Sequence, residues 1–220
     1  MKVTKADFLK AAIAGAAIAL FSLPVLKNLN FFNSFSFFGL YVFLAAWLLL
    51  LPPLSVFALF LSHKLAFFSK KIFFFEVGKY GLIGMLNTLI SGGLFNLLMA
   101  ITGVAKGLTA DLFIAVGFSA AITHSFFWNK FWTFKAHDKK EIKREYFKFF
   151  AVSGAVALLN LFLMHVLINI AGNYIKIEPK IWANISIGIL IPVSFLGNFF
   201  GYKLWVFKLV KWDGLVYNVC

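Results

Sequence analysis

Within its long apolar runs the chain carries few side chains able to do chemistry: Asn87, Thr88 and Ser91, then His124, Ser125 and Asn129, then Ser194 and Asn198. Lysines stand at the rims of the same runs, at Lys79, Lys130, Lys148 and Lys203. Amides and hydroxyls beside ammonium groups make a basic, hydrogen-bonding pocket suited to a phosphate and an attached sugar. Polar groups in hydrocarbon are costly, which makes them the first place to look for function. Their structural alternative is hydrogen bonding between helices, which needs no ligand. Asn96, His165, Asn169 and Asn184 fall farther along, where that structural role is the stronger expectation.

What is missing narrows the chemistry. Of eight acidic residues, Asp7, Glu76, Asp138, Glu141, Glu145, Glu178 and Asp213 fall in loops or near interfaces, and Asp111 opens an apolar run. No carboxylate is expected at mid-membrane, which argues against a proton-coupled exporter. Paired carboxylates, a nucleophile with its base, and a metal-ligand cluster are all absent from the pattern, so neither catalysis nor a cofactor is expected. The single Cys gives no disulfide framework within the chain.

The elements that must position these residues are membrane helices. The chain has 220 residues, 62% of them hydrophobic and 13% charged, with 30 Phe, far beyond soluble usage. Six apolar runs of spanning length are expected near 8–26, 37–62, 80–101, 109–128, 149–171 and 181–202. The first follows Lys2 and Lys5 and has the look of a secretory signal. Bulky residues 23–26 stand where a small-residue cleavage site belongs, so it is read as a retained anchor. Pro52 and Pro53 are expected to kink the second run.

Seventeen of the 21 Lys and Arg fall in alternate segments: the N-terminus, 63–79, 129–148 and the tail from 203. The positive-inside rule then puts both termini in the cytoplasm, and the net charge of +13 reads as membrane topology rather than nucleic-acid binding. Segments 64–75 and 141–150 mix cations with Phe and are expected as interfacial amphipathic helices, the alternative being that they extend the spans.

Residues 126–135, FFWNKFWTFK, return at 199–208 as FFGYKLWVFK, with Lys130, Trp132 and Lys135 matched by Lys203, Trp205 and Lys208 at a constant offset of 73. Upstream, Lys79 matches Lys148 at an offset of 69, which places a four-residue insertion in the second outer loop. Each copy holds two spans, so the copies are parallel. Trp132 and Trp205 suit the interface, and the lysines can snorkel to lipid phosphates. The expected fold is an all-α integral membrane protein: a two-helix extension (1–66), a four-helix domain (67–208, copies 67–135 and 141–208) and a cytoplasmic tail (209–220).

The stretches KYGLIGMLNTLI (79–90), FFWNKFWTFK (126–135), EYFKFFAVSG (145–154) and NFFGYKLWVFK (198–208) resemble the GtrA-like family, which includes the membrane part of some polyprenyl-phosphate sugar synthases. Two departures stand out: Lys130 replaces a frequent Arg, which loses bidentate phosphate binding, and Tyr202 stands where the first copy has Asn129. The resemblance implies flippase-type translocation of an undecaprenyl- or polyprenyl-phosphate-linked sugar across the cytoplasmic membrane, feeding cell-surface polysaccharide. Its alternative is a non-catalytic subunit that anchors a membrane-associated glycosyltransferase. A small-solute transporter is a third reading, weakened by the lack of a coupling residue. The expected lipid-phosphate and sugar contacts are Asn87, His124, Asn129, Lys130, Trp132, Asn198, Lys203 and Trp205, with Lys79 and Lys148 at the rim. Four spans make a small carrier, so a homo-oligomer is expected.

Overall fold

The computed structural model describes residues 3–28, 30–104, 108–136, 141–175 and 179–207; Lys208, the tail 209–220 and the loops between these ranges lie outside them. Every element among the described residues is helical. In chain order they are α1 (Lys5–Asn28), α2 (Phe37–Ser69), α3 (Phe73–Thr102), α4 (Leu108–Trp128), α5 (Ile142–His165) and α6 (Pro179–Gly201). Five helical stretches, Lys5–Asn28, Phe37–Ser69, Phe73–Thr102, Leu112–Thr133 and Ile189–Val206, are long and apolar enough to cross a bilayer. The 24-residue α5 occupies the remaining expected span. This is an all-α, multi-pass membrane protein.

The segments expected as separate interfacial helices are continuous with the spans. Residues 64–69 are the last turns of α2, which ends where Lys70 turns left-handed (φ 55) and its N–H meets the carbonyls of Ala66 and Phe67. After a three-residue break, 73–75 begin α3, and 142–150 begin α5. The physical reason is local. Nothing within 64–69 or 142–150 interrupts the i to i+4 ladder, and lysine stems are long enough to carry charge to headgroups without the helix turning aside. Likewise α2 runs on through Pro52 and Pro53, as membrane helices tolerate.

The chain divides into two compact units, one ending at Lys135 and one beginning at Ala136. The first unit contains α1 to α4, so the N-terminal pair folds onto the first copy of the repeat rather than standing apart from it. Lipid is as apolar as a leucine side chain, which leaves close packing to hold such helices together. Accordingly α1 buries Ala11, Ala14, Gly15, Ile18, Ala19 and Ser22, spaced three or four apart. A Cβ on Gly15 would stand 2.6 Å from the Leu51 carbonyl oxygen and 2.7 Å from the Cα of Pro52. Between α3 and α4 the approach is similar, for a Cβ on Gly117 would stand 2.6 Å from the Ser91 carbonyl oxygen. The turn from α1 to α2 is closed by Phe31, Phe35 and Phe43, with Phe43 stacked on Trp47 at 5.4 Å. The Trp47 indole N–H then donates to Ser22 Oγ at 2.9 Å.

In the second unit α5 packs on α6 by the same device. Gly201 faces Val152, and Tyr202 stacks on Phe149 with ring centroids 3.8 Å apart. Asn160 Nδ2 donates to Ser194 Oγ at 2.6 Å, joining the two helices.

Gly15→Val should therefore force α1 off α2. Overpacking of this kind costs about 1–3 kcal/mol, to be read as a lowered unfolding midpoint of the purified protein in detergent.

Candidate functional site

The N-terminus of α1 is written by Thr4 and Asp7. Thr4 caps the helix, its Oγ1 accepting from the Asp7 N–H at 3.2 Å, while Asp7 Oδ2 accepts from the Thr4 N–H at 3.1 Å and from Thr4 Oγ1 at 2.8 Å. This reciprocal capping box aims the other carboxylate oxygen away from the helix. Asp7 Oδ1 accepts from Lys79 Nζ on α3 at 2.6 Å and from the Trp132 indole N–H at 2.9 Å. Side chains of the ion pair are 1% exposed at Lys79 and 5% at Asp7. The Lys79 ammonium also lies 4.2 Å from the Phe75 ring centroid. Lys79 and Trp132 thus point into the first unit and share one anion.

Trp132 reaches that position because α4 does not end as an α-helix. Residues Asn129–Thr133 form a π-helical turn, closed by the Phe134 N–H donating to the Asn129 carbonyl at 2.9 Å. The second copy repeats it: Tyr202–Val206 form a π turn in which the Phe207 N–H donates to the Tyr202 carbonyl at 3.0 Å. The repeated endings are therefore one structural device, of a kind often found at functional sites. Phe126 and Phe199, and Phe134 and Phe207, are all buried; they are core residues, not part of an interfacial belt.

The repeated polar residues diverge. Trp132 is 2% exposed and Trp205 52%. Lys130 is fully buried rather than snorkelling, its ammonium 5.8 Å from the Phe131 ring centroid. Lys203 is half-buried, with Nζ 5.8 Å from the Phe199 centroid. Lys148, also half-buried, lies 5.7 Å from the Trp205 ring. At the position of Asn129, Tyr202 shares a hydrogen bond of 2.7 Å with Ser153.

The amides and imidazole singled out from the sequence have one property in common. Asn87 Oδ1 on α3, His124 Nδ1 on α4 and Asn129 Oδ1 are buried without a hydrogen-bond partner, as is Asn198 Oδ1 on α6 in the second unit. Asn129 is fully buried and spends its Nδ2 on Ser125 Oγ at 3.1 Å; His124 lies 5.4 Å from the Trp128 ring. Thr133 and Asn160 carry further unpaired oxygens. By contrast Asn96 is committed to structure, accepting from Asn28 Nδ2 at 2.9 Å. The side chains of His165, Asn169 and Asn184 lie outside the described residues. Among the described residues no three His, Cys, Asp or Glu side chains gather to hold a metal ion.

Asp7 escaped the sequence reading, which left it at an interface. The signal was present: a Thr-x-x-Asp pair opening an apolar run, with Lys5 and Lys10 around it, is a capping box whose second oxygen needs a cation. Glu76 and Glu145, spaced like Lys79 and Lys148, are likewise buried rather than left at the surface.

The family described as GtrA/DPMS, transmembrane domain, matches residues 79–207. No curated protein and no solved structure matches the chain. Lys79, Asn129 and Lys203 lie inside the matched range, and Asp7 lies outside it.

Asp7→Ala strands the Lys79 ammonium without its counter-charge and should destabilise the fold by about 3 kcal/mol or more. Adding Lys79→Met to that variant removes the stranded charge and should restore most of the loss. Thermal unfolding of the two single variants and the double variant in detergent measures the coupling.

Proposed function

Because the chain belongs to the GtrA/DPMS transmembrane-domain family, we propose that it carries a polyprenyl-phosphate-linked sugar across the cytoplasmic membrane, with both termini in the cytoplasm. The family supplies the class of substrate, a sugar on a polyprenyl phosphate; movement between leaflets is the reading the side chains favour. It is a carrier's work, with no bond made or broken by the protein.

One observation carries it. Asn87, His124, Asn129 and Asn198 hold buried polar atoms that make no hydrogen bond. Each such atom costs about 1–3 kcal/mol, and an interior held together by close packing has no use for it. Amide oxygens accept hydrogen bonds, and a sugar presents a ring of hydroxyl donors. Such acceptors lower the cost of taking a sugar through an apolar layer. Lys203 and Trp205, in the π turn of the second copy, carry chemistry complementary to a phosphate.

The test uses vesicles containing the purified protein alone, with leaflet-resolved labelling of a polyprenyl-phosphate sugar. Protein-dependent appearance of the sugar in the opposite leaflet is expected. Asn129→Ala should slow it about tenfold, the equivalent of one hydrogen bond lost at the barrier. An absence of movement in vesicles holding folded protein would turn the reading to a non-catalytic subunit that anchors a membrane glycosyltransferase.

A further inference from the structure

Both copies of the repeat carry one pair of donors, in different company. In the first, Lys79 Nζ and Trp132 Nε1 converge on a single oxygen of Asp7, at 2.6 and 2.9 Å. Lysine at the head of the outward helix and tryptophan in the π turn of the inward helix therefore act together as a grip on an oxyanion. The counterparts in the second copy are Lys148 and Trp205. These are again neighbours, with the ammonium 5.7 Å from the indole ring centroid.

What differs is access. Lys148 is half-buried and Trp205 is 52% exposed. Among the described residues the contact of the Lys148 ammonium is the Trp205 ring. On the same helix Glu141 is engaged by Arg144 at 3.3 Å, and Glu145 is buried. No described carboxylate plays for this pair the part that Asp7 plays for the other.

We infer that Lys148 and Trp205 bind the phosphate of a lipid headgroup at the membrane interface. The identity of that lipid as a prenyl phosphate rests on the function proposed above; the grip itself rests on the repeat. A planar carboxylate can be enclosed, as Asp7 is, with both oxygens saturated by protein donors. A tetrahedral phosphate has three terminal oxygens and a chain that must stay among lipid tails, so it needs an open site at the edge of the apolar layer. An indole suits that edge, its body in the acyl boundary and its N–H toward the headgroups.

Binding of radiolabelled farnesyl phosphate to the full chain in phosphatidylcholine nanodiscs tests this, with farnesol and inorganic phosphate as competitors. Lys148→Gln should weaken binding about tenfold, and Trp205→Phe, which keeps the ring and loses the donor, about threefold. Lys148→Arg, which keeps the charge, should stay within about threefold of the parent and guards against a folding defect in the Gln variant. Lys143→Gln, which removes the same charge from the same helix, should leave binding unchanged. Unaltered affinity in both Lys148→Gln and Trp205→Phe would overturn the inference, as would an equal loss in Lys143→Gln, the mark of diffuse surface charge. Competition by inorganic phosphate as strong as by the prenyl phosphate would overturn the lipid source. Translocation is read in the same preparations. Binding through Lys148 without translocation keeps this site and removes the carrier reading, whereas translocation with Lys148→Gln binding normally does the reverse.

Discussion

The carboxylate of Asp7 receives four hydrogen bonds, two from Thr4 and one each from Lys79 and Trp132. Its position leaves little freedom to the rest of the first unit. A buried ammonium is tolerable only beside a counter-charge, and a buried carboxylate only with its lone pairs met. The start of α1, the start of α3 and the π turn after α4 must therefore arrive at one point. Moving any of them strands a charge. Close helix packing follows from the same constraint, since α1 can meet α2 and α3 together only through a face of Ala, Gly and Ser. The aromatic closure of the α1 to α2 turn then fixes the far end of that hairpin.

A duplicated sequence has produced two copies with one backbone device and two electrostatic states. Both endings take the π turn, and both bury their matched phenylalanines. Tryptophan and lysine then part company according to what surrounds them. In the first copy α1 brings a carboxylate, and the indole turns inward to share it. In the second the indole is exposed and stacks against a cation. Asn129 becoming Tyr202 belongs to the same divergence, because a phenol bonded to Ser153 and stacked on Phe149 fills its place without leaving an unpaired amide.

A carrier for a lipid-linked sugar has to reconcile polar cargo with an apolar medium. This chain combines buried amides with a lysine–tryptophan pair in each copy of its repeat. The unpaired amide oxygens are buried, and the pair at Lys148 and Trp205 is open where its counterpart is closed.

The sequence by itself determined the medium, the helices and the duplication. Apolar runs of bilayer length admit little besides spanning helices, because an unpaired peptide group in hydrocarbon is too costly. The matched endings announced a repeat, since six identities at one offset do not depend on any contact. It also placed the polar residues on their helices, because helical rise turns position into depth. Only the tertiary structure decided which of these residues meet. Asp7 and Lys79 are 72 positions apart and Asp7 and Trp132 are 125, and no local pattern encodes a pairing made by helices packing side by side. The π turns were also illegible, for they keep the hydrogen bonding of a helix and differ from it by one residue of register. Whether a lysine snorkels or is buried depends on which helix covers it, and that is a property of the packed bundle.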